Sequence, residues 1–471
     1  MQPADAWAGR RVCVAGAGVS GVAAAEALLR LGARVTVVDA RDGAEERDRA
    51  AALEPLGARV RLGDAETLPE ATELVVTSPG WRPTAPLFAA AAARGVPVWG
   101  EVELAWRLRP PGQPWLAVTG TNGKTTTVGM LAAVLTAAGR RAIAAGNVGT
   151  PLVTALAAEP PYDVLAVELS SFQLHWSPSV RPFAAAILNV APDHLDWHGS
   201  AAAYAAAKAR VFAPGTRAVV NADDPGSAAL APPGAVSVTL APPGPGQLGV
   251  VDGVLVDRAY GADPGAGGQE LARVADVRPA GPHNVANALA AAALARAHGV
   301  APAAVGAGLR SFRPGGHRNA VVSVVDGVTY VDDSKATNPH AAAASLAGYD
   351  SVVWIAGGLN KGLPFDEVAA VAAPRLRAAV LLGSCRGEVA SSLARHAPEV
   401  PVVEVASTDT GAMQVAVREA ARLARPGDAV LLAPAAASMD MFRDYAARGD
   451  AFTAAVHRLA GPPAGGSGVG R

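Results

Sequence analysis

The 471-residue chain has only two cysteines, Cys13 and Cys385, too few for a disulfide framework or a thiolate zinc site. That scarcity fits a reducing compartment. Charged residues make up 17% and aromatic residues 5%, but hydrophobic residues reach 51%, which excludes an intrinsically disordered chain. An excess of either charge is also missing. Lys+Arg 40 against Asp+Glu 41 leaves a net charge of −1, which excludes a general binder of nucleic acid or anionic membranes. Any anion must therefore be held by a local site. Met1–Arg10 lacks a basic stretch leading into an apolar one, so no secretory signal is visible. The longest uncharged run, Pro225 to Val251, contains six prolines and is excluded as a membrane helix. Glycine (51) and proline (37) are abundant but unperiodic, which excludes a collagen-like chain. These absences lead us to expect a soluble cytoplasmic protein of roughly three domains.

Short Val-rich runs alternate with Ala/Leu-rich helical stretches, the pattern of α/β layers on parallel sheets. Arg11–Gly16, Val35–Asp39 and Leu74–Ser78 read as strands of a first unit. Leu116–Thr119, Ala142–Ala145, Val164–Glu168 and Ala184–Leu188 belong to a second. Val352–Ala356, Ala379–Leu382 and Ala429–Leu432 belong to a third. Linkers fall at Arg109–Pro114 and near Phe312–Gly316, giving domains 1–108, 109–314 and 315–460. The tail 461–471 is expected to be disordered. Residues 225 to 280 are expected to form loops and short strands, and the abundant alanine reads as compositional bias.

Two loops carry phosphate-binding signals. Gly16-Ala-Gly18-Val-Ser-Gly21 follows a strand and opens a helix, and Asp39 ends the next strand, the context of a dinucleotide-type loop. A tight turn without ligand would look the same, and NAD is not established by it. Gly120-Thr-Asn-Gly123-Lys124-Thr125-Thr126 is the stronger signal. It follows a strand and precedes a helix expected to start near Thr127. Its backbone N–H groups can cradle phosphates, Lys124 can neutralise them, and Thr125 can ligate Mg²⁺. Val118 stands where the common spacing has its first glycine. Phosphoryl chemistry needs cations, and cations need carboxylates. Glu168 ends one of the following strands, and Asn189-Val-Ala-Pro-Asp193-His194 follows the next, at the same sheet edge.

Gly120–Thr126, Glu168-Leu-Ser-Ser-Phe-Gln173 and Asn189–His194 resemble the Mur ligase family, the ATP-dependent amide ligases of peptidoglycan precursor synthesis. Asp332-Asp-Ser-Lys335-Ala-Thr337-Asn338, Gly146-Asn147-Val-Gly149 and Ala435-Ala-Ala-Ser438-Met-Asp440 resemble its D-glutamate-adding branch. The resemblance covers nearly the whole chain, to about residue 455. It implies a Rossmann-like N-terminal domain for a UDP substrate, a central P-loop-type ATPase domain with a mostly parallel sheet, and a Rossmann-like C-terminal domain for the amino acid. The implied reactants are UDP-N-acetylmuramoyl-L-alanine, D-glutamate and ATP, with Mg²⁺; a monomer is expected, with no nucleic-acid partner and no membrane insertion.

Residue roles follow from the same resemblance. Val19, Ser20, Asp39, Arg41, Ser78, Gly80 and Asn147 are implied UDP-substrate contacts. Gly120, Thr121, Asn122, Gly123, Lys124, Thr125 and Thr126 hold ATP phosphates. Asn284 and Asn287 contact adenine, Asp333 contacts ATP, and Arg318 reaches the phosphates from a hinge. Thr125, Glu168, His194 and a carbamylated Lys208 form the implied metal site, with Lys124, His194, Lys208 and Arg318 as catalytic groups. Lys335, Thr337, Ser438 and Lys361 are implied D-glutamate contacts. Gly357-Gly-Leu-Asn360-Lys361 departs from members that carry an acidic residue there, which weakens the case for Lys361. The alternatives are another Mur-type ligase, a folylpolyglutamate synthase-like enzyme, an NAD-dependent oxidoreductase and a non-catalytic nucleotide-binding module.

Overall fold

The computed structural model describes residues 6–260, 268–407 and 409–460, so the tail expected to be disordered lies outside the described residues. The chain separates into two compact units. One comprises Met1–Val277 with Val285–Phe312, and the other Arg278–Asn284 with the residues from Arg313 on.

The first unit contains two sheets. The N-terminal sheet has five parallel strands, β1 (Arg11–Ala15), β2 (Arg34–Asp39), β3 (Arg59–Leu62), β4 (Leu74–Thr77) and β5 (Val98–Gly100), in the order β3-β2-β1-β4-β5. The order reverses at β1, so a crevice opens beyond the carboxyl ends of β1 and β4. Among the described residues the central sheet has nine strands. They are β6 (Trp115–Thr119), β7 (Ala142–Gly146), β8 (Val164–Glu168), β9 (Ala184–Ile187), β10 (Arg217–Asn221), β11 (Val236–Val238), β12 (Gln247–Val251), β13 (Val254–Asp257) and β14 (Gln269–Arg273). Their order is β14-β13-β12-β11-β10-β9-β6-β8-β7, and only the pairings β12–β13 and β13–β14 are antiparallel.

The second unit carries β15 (Ala320–Val325), β16 (Val328–Asp332), β17 (Val352–Gly357), β18 (Leu376–Leu382), β19 (Val402–Glu404) and β20 (Ala429–Leu432), in the order β15-β16-β20-β17-β18-β19. All are parallel except the hairpin β15–β16. The molecule is thus a three-domain α/β protein with largely parallel sheets.

Period-two alternation sets the cores. On β6, Trp115 and Ala117 face the core shared with the N-terminal sheet, while Leu116 and Val118 face the helices on the opposite side. Those helices include Lys124–Ala137, Pro282–Ala297 and Pro302–Ser311. In the second of them Ala288–Ala295 are at most 1% exposed. Alanine is therefore more than a compositional bias here: a helix buried on every side needs side chains small enough to let its neighbours approach.

Candidate active site

The loop Gly120–Gly123 joins β6 to the helix Lys124–Ala137, which starts three residues earlier than the sequence suggested. Gly123 has φ +84°, and a Cβ there would lie 2.4 Å from Oδ1 of Asn287, so the helix can begin at once only on glycine. The loop is pinned by the segment after β9. Asn122 N donates to Asn189 Oδ1 at 2.8 Å, and Asn189 Nδ2 donates back to the Asn122 carbonyl at 3.2 Å. Thr121 Oγ1 donates to the Ala191 carbonyl (3.1 Å), accepts from Ala191 N (3.0 Å) and lies 3.1 Å from the Tyr204 hydroxyl. Asn189 and Tyr204 act on this loop as frame residues that sequence reasoning did not assign.

Two lysines share one carbonyl. Lys124 Nζ donates to Gly120 O and Thr121 O at 2.9 Å each, and Lys208 Nζ donates to Gly120 O at 2.8 Å. Lys208 is 1% exposed and lies over the Tyr204 ring. Burial, and next the Lys124 ammonium, push its pKa well below the ordinary lysine value.

Beside them, at the end of β8, Glu168 is buried. Its Oε1 accepts from Asn147 Nδ2 at 2.9 Å, while its Oε2 has no hydrogen-bond partner among the described residues. A buried carboxylate oxygen left unpaired is costly in a dry site, and a cation would satisfy it. Among the described residues no three His, Cys, Asp or Glu side chains converge as a metal-binding group. The donor set suits Mg²⁺ nevertheless, because that ion is commonly held by one or two carboxylates with substrate phosphates supplying further oxygens. His194, the residue before the helix Leu195–His198, is held in the left-handed region at φ 53°, and its ring packs at a tilt of 58° against Phe172, 4.8 Å between ring centroids. Asn147, expected at the UDP substrate, is thus engaged with Glu168 through its side chain.

In the N-terminal domain the glycine loop is closed on itself. A Cβ on Gly21 would fall 1.8 Å from the Gly16 carbonyl, so glycine is required for the helix Val19–Arg30 to pack on β1. Asp39 is buried, and its Oδ2 accepts from Ala17 N at 2.7 Å while Oδ1 accepts from Arg41 N at 2.9 Å. Arg41 also pairs with Glu46 at 3.0 Å. Ser78, after β4, donates to Gly16 O at 3.4 Å. Val19 and Gly80 are exposed and Ser20 half-buried at the same end of the sheet.

In the second unit two loops leave the carboxyl ends of adjacent strands β16 and β20. Lys335 Nζ lies 3.9 Å over the Tyr445 ring, Thr337 is half-buried and Ser438 buried. Burial pushes Asp333 up to about 6, and Arg318 acts against that shift. Arg448, 1% exposed, donates to Ser334 Oγ, to Ser334 O and to the carbonyls of Ala436 and Ala437, tying both loops together. No local signal marked this arginine. Lys361 is exposed, two residues beyond Leu359, which bridges to Ala437. Asn284 is buried and its Nδ2 donates to the Ala280 carbonyl at 3.3 Å.

Three family descriptions match consecutive parts of the chain: a Mur ligase MurD-like N-terminal domain at residues 10–100, a Mur ligase middle domain at 118–242, and a Mur ligase glutamate ligase domain at 317–436. The chain belongs to the Mur ligase family. It is 62% identical over 463 residues, 96% of this chain and 99% of the other, to the UDP-N-acetylmuramoylalanine--D-glutamate ligase of Streptomyces avermitilis. The protein of the same description from Mycolicibacterium smegmatis is 52% identical over 96% of this chain and 97% of its own. Among solved structures, the UDP-N-acetylmuramate-alanine ligase of Thermotoga maritima shares the fold at a TM-score of 0.59 and 20% identity, covering 96% of this chain and 99% of that one. A pseudomurein peptide ligase of Methanothermus fervidus aligns at a TM-score of 0.58 and 18% identity, over 90% and 96%.

Proposed function

We propose that this chain is an ATP-dependent ligase that adds D-glutamate to UDP-N-acetylmuramoyl-L-alanine, acting as a cytoplasmic monomer in peptidoglycan precursor synthesis. The observation that carries the chemistry is the convergence of Lys124 and Lys208 on the Gly120 carbonyl, close to the unpaired oxygen of Glu168. The high identity to D-glutamate ligases supports the choice of amino acid.

A free carboxylate is a poor electrophile, so its oxygen must first be made a leaving group. The alanyl carboxylate attacks the γ-phosphorus of ATP, ADP departs, and an acyl phosphate results. The neutral amine of D-glutamate then attacks the acyl carbon, and phosphate leaves from the tetrahedral intermediate. The amides of Gly120–Thr126 hold the phosphates, and Lys124 stabilises charge that develops during transfer. By resemblance to the family, Arg318 and Asp333 are assigned as ATP contacts and Asn284 and Asn287 as adenine contacts. Thr125, Glu168, His194 and Lys208 would hold Mg²⁺, which when bound neutralises phosphate charge. Lys208 joins that set as a carbamate: its neutral amine adds to the carbon of CO₂ and releases one proton to water. Its depressed pKa supplies the neutral form that this addition needs.

Domains 1–108, 109–314 and 315–460 divide the work. Val19, Ser20, Asp39, Arg41, Ser78 and Gly80 bind the UDP end, and Lys335, Thr337, Ser438 and Lys361 bind D-glutamate. The test is an isotope experiment. With ¹⁸O in the alanyl carboxylate, one label per turnover is expected in the released phosphate, only when D-glutamate and the UDP substrate are both present. Product formed without label in phosphate would eliminate the acyl phosphate.

A further inference from the structure

The helix Leu152–Leu156 follows the loop Gly146–Thr150 and is preceded by Pro151, which has no side chain able to cap it. The amide of Val153, in its first turn, is satisfied from the N-terminal domain. Glu101 opens the helix Glu101–Leu108 directly after β5, and its Oε1 accepts from Val153 N at 2.8 Å. The loop leading into the capped helix is short and closed. Gly146 N donates to Thr150 O at 3.0 Å, and Asn147 reaches Glu168 twice, from N to its carbonyl and from Nδ2 to Oε1, each at 2.9 Å. Glu101 is thus linked to Glu168 in steps: a hydrogen bond to Val153, the short stretch of chain back to Thr150, the Gly146–Thr150 bond that closes the loop, and the bonds of the adjacent Asn147 to Glu168. The same N-terminal helix holds the segment after β8. Glu103 Oε2 accepts from Ser179 N at 3.0 Å, and Gly100 N donates to Trp176 O at 2.8 Å.

We propose that Glu101 is a positioning residue for the nucleotide and metal site, which caps the Leu152–Leu156 helix from the neighbouring domain and so fixes the Asn147 loop that orients Glu168. The proposal rests on the assignment of Glu168 to the Mg²⁺ site. Burial drives Glu101 up to about 7, so the carboxyl group stands at a cost that a neutral or apolar residue would not incur. The Val153 amide is what it gains, since the orphan N–H groups of a helix start need an acceptor.

The experiment compares wild type with Glu101→Ala and Glu101→Gln. Amide exchange over residues 147–156, Mg²⁺-dependent binding of a fluorescent ATP analogue and the KM for D-glutamate are measured on the full chain. Glu101→Ala is expected to speed exchange at Val153, to weaken Mg²⁺-dependent nucleotide binding by about fivefold or more, and to leave the D-glutamate KM within about twofold. Glu101→Gln keeps one acceptor oxygen and should show intermediate exchange and a loss of about twofold. Faster exchange with unchanged Mg²⁺-dependent binding in Glu101→Ala would make the cap purely structural and overturn the proposal. Should Glu101→Ala not fold, Glu101→Gln decides, and its identity with wild type in exchange and binding would overturn the proposal. Wild type that binds Mg²⁺ and nucleotide but forms no product with D-glutamate would count against the ligase reading and leave this inference standing.

Discussion

Two strand–glycine loop–helix units serve this chain, and they differ in what stands behind the loop. Behind Gly120–Gly123 lie two lysine side chains and a buried carboxylate with one unpaired oxygen. Behind Gly16–Gly21 lies the Asp39 carboxylate, already bonded to the amide of Ala17. The second loop has given one of its own N–H groups to a protein acid, so it is a closed frame with fewer donors for an anion. The first presents the Lys124 ammonium to a bound phosphate. A glycine pattern thus specifies a backbone shape, and the residues behind it decide whether the shape handles reacting phosphate or positions a substrate.

Lys124→Ala should sharpen that contrast most. Its ammonium is placed for charge that appears in phosphoryl transfer, so kcat should fall by about 10³-fold or more while the KM for the UDP substrate stays within about threefold. Steady-state kinetics at saturating ATP decide it, and equal losses in both would merge the two loops into one site. Lys208→Ala should cost a similar order and should not be restored by high bicarbonate, because the amine that takes up CO₂ is gone.

Gly21→Ala should break the closed loop instead. With a Cβ 1.8 Å from a backbone oxygen, the helix Val19–Arg30 must move, and a destabilisation of about 3 kcal/mol is expected in denaturant unfolding. Asp39→Asn should raise the UDP-substrate KM by about tenfold and leave the ATP KM unchanged, since its carboxylate serves only the N-terminal frame.

Between the loops, Glu101 gives a pH signature. Its native pKa, about 7, is raised from 4.5, so the native state holds the proton more tightly than the unfolded chain. Its contribution is fully present below 4.5 and is lost as pH rises through 7, a difference of about 3 kcal/mol. Unfolding curves of wild type minus Glu101→Gln between pH 4.5 and 7 should show that slope. A flat difference would mean that Glu101 is ionised in the native protein throughout. Smallest of all, Ser438→Ala and Thr337→Ala should raise the KM for D-glutamate by about three- to tenfold and leave the other two substrates alone.

The parallel-sheet architecture was legible because buried strands such as Val164–Glu168 and Ala429–Leu432 are continuous apolar runs. Arg59–Leu62 and Ala320–Val325 escaped, since sheet-edge strands carry charge or alternate with exposed positions and leave no such run. Within the site, Lys124 and Glu168 announce themselves by standing at strand and helix ends. Lys208 does not: on an alanine-rich helix it looks solvated, and only the fold buries it beneath the phosphate loop. Arg448 and Glu101 act on segments far away in sequence, so their roles exist only once the chain has folded.

The most direct measurement is phosphate release from ATP by the full chain with UDP-N-acetylmuramoyl-L-alanine, screened over L-alanine, D-glutamate, L-glutamate, meso-diaminopimelate and L-lysine. Release with D-glutamate alone, stoichiometric with amide product, is the expected result. Turnover with another of these amino acids in preference to D-glutamate, or with none, would contradict the assignment.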